Sequence, residues 1–128
     1  MLIQANDPRI SWQGAVSLEN VNGSVKPWRL EHRDLDLFHD PALWAIAELP
    51  SGVRMVFQSD ATALKVHFSH AVRSINSLRR DGTPCELPHC LLETFIDGKP
   101  FDLTDVADDG EFLHLVDLPP GNKKFEIH

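Results

Sequence analysis

Turn residues divide this chain before any long helix can form. Asn22-Gly23 and Asp97-Gly98 are pairs that accept positive φ, while Pro50-Ser51-Gly52 and Pro119-Pro120-Gly121-Asn122 add two further breaks. Between the breaks, apolar residues alternate with polar ones. Val53, Met55 and Phe57 alternate with Arg54 and Gln58; Leu64, Val66 and Phe68 alternate with Lys65 and His67. Side chains in a strand point to opposite faces at each step, so each run carries one apolar face. Residues 59–62, Ser-Asp-Ala-Thr, form a polar connection of hairpin length, and the two runs are predicted to pair as a β-hairpin.

The same pattern extends along the chain. Ile10, Trp12, Gly14, Val16 and Leu18 share one parity, predicting a long first strand, and residues 25–30 return from Asn22-Gly23. Pro27 cannot donate to a ladder, which places the returning strand at an edge or a bulge. Residues 31–40 are charged and read as a loop. The helix candidate is DPALWAIAEL: Asp40 suits the cap, Pro41 the first helical position, Leu43, Ile46 and Ala47 one stripe, and Pro50 the stop. Residues 71–89 read as an irregular excursion. Further strands are predicted at 90–96, 101–103, 111–118 and 123–127. About seven to nine short strands at this spacing predict an all-β fold, an antiparallel β-sandwich or jelly roll with one short helix.

A chain of 128 residues is one domain by size. Its 12 basic and 19 acidic residues give a formal charge of −7. That balance argues against a nucleic-acid partner, which needs a basic face to neutralise phosphates, and against an anionic membrane surface. No apolar run reaches the roughly 20 residues of a membrane helix. The start, MLIQANDPRI, lacks the basic and apolar regions of a secretory signal, so a cytoplasmic location is expected. Two cysteines do not make a disulfide scaffold.

Candidate chemistry is sparse. His67 and His70, three apart on a strand, point to opposite faces and cannot easily share a metal. Cys85, His89 and Cys90 in CELPHC lack the second cysteine pair that zinc favours; a local disulfide or two free thiols fit better than a metal site or a nucleophile. Asp102, Asp105, Asp108, Asp109 and Glu111 do not follow the calcium-loop spacing and read as a solvated loop. No G-x-S-x-G elbow, Gly-Asp-Ser turn or late Asp-x-x-His pair is present. No catalytic residue, metal site or cofactor is therefore expected. Of Trp12, Trp28 and Trp44, core packing accounts for at least two; Trp28, beside Pro27 and Arg29 near an edge, is the one most open to a binding role.

Placed in order, the fragments WRL at 28–30, PSGVRMVFQSDATALKV at 50–66, TFIDGKPFDL at 94–103 and the closing KKFEI resemble the N-terminal β-sandwich domain of two-domain SGNH (GDSL-type) hydrolases. Ser51-Gly52-Val53-Arg54-Met55 and Phe57-Gln58-Ser59-Asp60-Ala61 stand for that family's first hairpin, and Phe95-Ile96-Asp97-Gly98 for its second strand and turn. Glu93-Thr94-Phe95 departs from the family's Asp-Leu-Tyr tendency. The resemblance implies a non-catalytic accessory domain of an ester hydrolase, cut before a downstream SGNH catalytic domain. Its implied roles are to shape the cleft for a carbohydrate ester or to mediate homo-oligomerisation, with Trp28 and Arg29 as exposed substrate contacts. The rival reading is a free-standing carbohydrate-binding or interaction module; a small enzyme using Cys85 or Cys90 is the remote third.

Overall fold

The computed structural model describes residues 1–40, 43, 47, 51–68, 91–105 and 112–128. The described chain is all-β, built of antiparallel strands in the sandwich class, with little helix. It divides into two compact units, Met1–Val56 together with His128, and Phe57–Ile127. Among the described residues no helix is long and apolar enough to cross a membrane.

The first unit holds β1 (Ser11–Gln13), β2 (Ser17–Val21), β3 (Ser24–Trp28), a 3-10 helix (His32–Leu37) and the start of β4 (Arg54–Ser59). The single long first strand predicted from alternation is broken in two. Gly14 breaks it: its φ is +83°, and a Cβ there would lie 2.1 Å from the Gly52 carbonyl oxygen. Only glycine tolerates both the left-handed backbone and that approach. β1 instead pairs antiparallel with β4, Gln13 opposite Arg54, and Arg54 Nε donates to Gln13 Oε1 at 2.7 Å.

β2 and β3 form the hairpin expected from Asn22-Gly23, whose φ values of 50° and 84° are those of a type I′ turn. Pro27 sits opposite Leu18 in this two-stranded sheet, where a missing N–H can face the free side. The charged segment read as a loop contains the 3-10 helix, begun by Glu31, whose carboxylate accepts from the Arg33 N–H. In the predicted helix at 40–49, Leu43 and Ala47 are α-helical; Trp44 and the other residues after Asp40 lie outside the described residues.

The second unit holds the end of β4, then β5 (Leu64–His67), β6 (Leu91–Ile96), β7 (Lys99–Asp105), β8 (Phe112–Leu115) and β9 (Lys123–Ile127). The predicted β4–β5 hairpin does not form. β5 pairs with β8, Leu64 opposite Leu115 and Val66 opposite Leu113, while β4 lies beside β9. Alternation specifies which face of a strand is apolar but not which strand supplies its ladder. Here Phe57 stacks on Phe125 with ring centroids 5.1 Å apart, and the polar connection turns toward β8, with Leu118 N–H donating to the Thr62 carbonyl at 3.0 Å.

The β6–β7 hairpin forms as expected. Asp97 and Gly98 have φ of 49° and 77°, and Asp97 ties the turn to β9: its N–H donates to the Lys124 carbonyl and its carboxylate accepts from the Lys124 N–H, both at 2.9 Å. β6 lies between β9 and β7, and β7 is the edge of the sheet. Ile96, Leu113, Leu115, Leu118, Phe125 and Ile127 are buried and form the core of this unit.

Candidate functional site

The β2–β3 hairpin sorts its residues onto two faces. Ser17 lies opposite Trp28 and Glu19 opposite Lys26 on one; Leu18 lies opposite Pro27 and Asn20 opposite Val25 on the other. Trp28, expected to be exposed, is only 4 % exposed. Its Nε1–H donates to Glu19 Oε2 at 2.7 Å, Lys26 Nζ lies 4.3 Å from its ring centroid, and the His32 ring stacks at 6.5 Å and 19°. A tryptophan so enclosed offers no face to a ligand in solvent. Arg29, next along the chain, is exposed, and its N–H donates to the Ala47 carbonyl at 3.0 Å.

Beside Trp28 stands a serine–histidine–carboxylate group that sequence reasoning missed. Ser17 Oγ lies 2.9 Å from His32 Nδ1, and Glu31 Oε1 lies 3.6 Å from the same nitrogen. The arrangement does not make a nucleophile. The Ser17 hydroxyl donates to the Leu30 carbonyl at 2.7 Å and accepts from the His32 N–H at 3.0 Å, so its one proton is committed. His32 Nδ1 must then donate to it. A catalytic histidine would take the serine proton on one ring nitrogen and meet its acid with the other. Ser17 is a buried clamp holding the turn from β3 into the 3-10 helix. A signal for it existed, because a two-residue turn at 22–23 counts outward to Ser17 opposite Trp28.

The other face of the hairpin, with Ala5, Asn6, Asp7, Pro8, Ile10 and Trp12, lines a shallow groove of about 210 Å³. Trp12 is half-buried, with Nε1–H donating to the Ala5 carbonyl at 3.0 Å, so of the two described tryptophans Trp12, not Trp28, lies beside open space. At the rim, Arg9 grips Asp7 through Nε at 2.8 Å, Nη2 at 2.7 Å and its backbone N–H at 2.9 Å. Those bonds, led by the guanidinium, hold the Asp7 carboxyl down to about 2. A carboxyl depressed by folding adds stability above its unfolded value, about 3.9, and loses that contribution as pH falls toward the folded one. An NMR titration should therefore find an Asp7 midpoint near 2. Arg9→Ala removes the guanidinium but keeps the backbone N–H bond, so it should raise the midpoint while leaving it below the ordinary value; an unchanged midpoint would refute the guanidinium as the leading cause.

In the second unit, β5 and β8 present a basic, aromatic face. Lys65 Nζ lies 3.9 Å from the Phe112 ring centroid, the His67 ring packs on it at 4.9 Å, and His114 meets its edge at 5.9 Å. Among the described residues none of the three bases forms an ion pair with a carboxylate. Such cation–π contacts at an exposed site are worth about 0.5–1 kcal/mol. The face can meet an anion.

His70, Cys85, His89, Cys90, Asp108, Asp109 and Glu111 lie outside the described residues. Asp102 and Asp105 lie on β7 rather than in a loop. Among the described residues, no group of three or more His, Cys, Asp or Glu side chains could hold a metal.

Residues 10–126 match the family described as SsfX3, N-terminal domain. The fold matches a solved salicylyl-acyltransferase, SsfX3, from a tetracycline biosynthetic pathway, with a TM-score of 0.79 and 27% identity. That match covers 98% of this chain and 34% of the acyltransferase, so the chain spans about a third of its relative. No curated protein matches. These findings correct the resemblance to an SGNH/GDSL hydrolase accessory domain. With it go the expected ester-hydrolase function, the SGNH catalytic domain as partner and the carbohydrate-ester substrate: the solved relative is named for acyl transfer in biosynthesis. The hairpin and turn motifs that carried the resemblance report a β-fold, which many functions share.

Proposed function

The chain belongs to the SsfX3 N-terminal domain family, and from that premise we propose that it is the N-terminal, non-catalytic domain of an acyltransferase that moves an aromatic acyl group onto a biosynthetic acceptor. The observation that carries this reading is the lopsided coverage: nearly all of this chain aligns with about a third of a salicylyl-acyltransferase. The geometry of the first unit supports the non-catalytic part. Its one serine–histidine contact among the described residues has no free hydroxyl proton. Acyl transfer needs a nucleophile, a base and an oxyanion site held together, and these would come from the remainder of the polypeptide.

In this reading Arg29 is the contact to substrate or to the neighbouring domain. Trp28, buried and the last residue of β3, fixes the strand end that Arg29 follows.

The test uses the longer polypeptide that carries this chain at its N-terminus. It should transfer a salicylyl group from an activated ester to a hydroxylated polycyclic acceptor, and Ser17→Ala should leave kcat within about twofold once folding is verified. The substitution removes a buried bonding group and should cost about 1–3 kcal/mol of stability, so the assay belongs well below the melting temperature. A loss of about 10³-fold or more in kcat would make Ser17 a participant in the chemistry and overturn the non-catalytic reading. No transfer of any aromatic acyl group by a folded protein would overturn the activity.

A further inference from the structure

Strand β7 is inside out. In a half-buried sheet, polar side chains face solvent and apolar ones the core. On β7, Asp102 and Thr104 share a face with the fully buried Thr94 and half-buried Leu92, and Thr104 Oγ1 donates to Asp102 Oδ2. Its Leu103, opposite Glu93, points the other way and is 60% exposed. Leu91 of β6, diagonal to Leu103 across the ladder, is 54% exposed on the same face. Two large apolar side chains thus form one outward strip on the two strands nearest the sheet edge.

The edge is guarded at its hairpin end. Lys99, Pro100 and the register shift that leaves Phe101 unpaired stand at the hairpin end, and these are the devices that keep an edge strand from recruiting another chain. Apolar strips of this kind on soluble proteins mark contact surfaces.

We propose that the outer face of β6 and β7 is the surface on which the rest of the acyltransferase polypeptide packs, with Leu91 and Leu103 at its centre. This rests on reading the chain as one domain of a longer acyltransferase. The occupant is argued from the relative, of which this chain covers 34%, leaving about two thirds of that polypeptide to be placed. Contacts between domains of one chain bury about 600–1,500 Å², so the strip is the apolar middle of a larger contact with a polar rim. Glu93, opposite Leu103, and the Lys124–Glu126 pair on neighbouring β9 belong to that rim.

The experiment is thiol labelling of the longer polypeptide. Cys85→Ser and Cys90→Ser remove the native thiols, and Leu103→Cys, Leu91→Cys or Val116→Cys introduces one probe at a time. Val116, 63% exposed in the same unit but off this face, is the reference. In monomeric protein the probes at 103 and 91 should react with a maleimide at least about tenfold more slowly than the probe at 116, as a contact open less than a tenth of the time requires. Equal rates at all three positions overturn the proposal. Slow labelling seen only at concentrations where the protein dimerises assigns the face to a second copy and also overturns it. The readout is independent of activity: protection in a protein that transfers no acyl group would leave the contact standing and refute the functional reading alone.

Discussion

Replacing Trp28 by alanine should destabilise the protein by about 3–5 kcal/mol, the range for truncating a large buried aromatic. The ring is 4 % exposed, and its loss opens a cavity among Glu19, Lys26 and His32. Trp28→Phe keeps most of the packing and gives up the bond to Glu19, which should cost about 1–2 kcal/mol. Denaturant unfolding measures both, as a lower midpoint at unchanged slope. If Trp28 were instead a solvent-facing ligand contact, the alanine variant would change stability by no more than about 0.5 kcal/mol. That result would overturn the burial described above. Any effect of Trp28→Ala on acyl transfer is then expected to follow the fraction folded rather than KM.

Gly14→Ala is the second large effect. Two costs combine at this position. A left-handed backbone costs a residue with a Cβ about 1–2 kcal/mol. The added carbon would also sit 2.1 Å from the Gly52 carbonyl oxygen, a backbone atom that cannot rotate away. One of the two chain segments must shift, with the β1–β4 pairing at stake, and the total should exceed about 3 kcal/mol. Gly98→Ala supplies the control. Gly98 has a φ of +77° but nothing within 4 Å of the added carbon, so only the backbone cost of about 1–2 kcal/mol remains. Equal losses in the two variants would show that the approach of Gly14 to Gly52 is not tight.

The chain's own pattern was informative where interactions are local. Asn22-Gly23 and Asp97-Gly98 specify turns that match the twist of paired strands, and both hairpins are present with those residues at positive φ. The alternation in residues 64–67 correctly separates Leu64 and Val66 from Lys65 and His67. Alternation was less reliable at Gly14, which shares the parity of its neighbours yet breaks the strand, because the requirement it meets is the approach of Gly52, far away in the sequence. The candidate site was legible only in part. Trp28 was read as exposed from its neighbours Pro27 and Arg29, whereas Glu19, Lys26 and His32 enclose it.

What the sequence determined by itself was the class of structure: short antiparallel strands and the positions of two tight turns. These follow from backbone preferences and from a side-chain period of two, both of which act within a few residues. Tertiary structure decided which strands are neighbours. The run that looked like one hairpin was divided, β4 going to β1 and β9, and β5 to β8. It decided too that Trp28 is buried while Leu103 is exposed, although both sit in alternating segments. Burial depends on what the rest of the chain places over a face, and no local pattern carries that information.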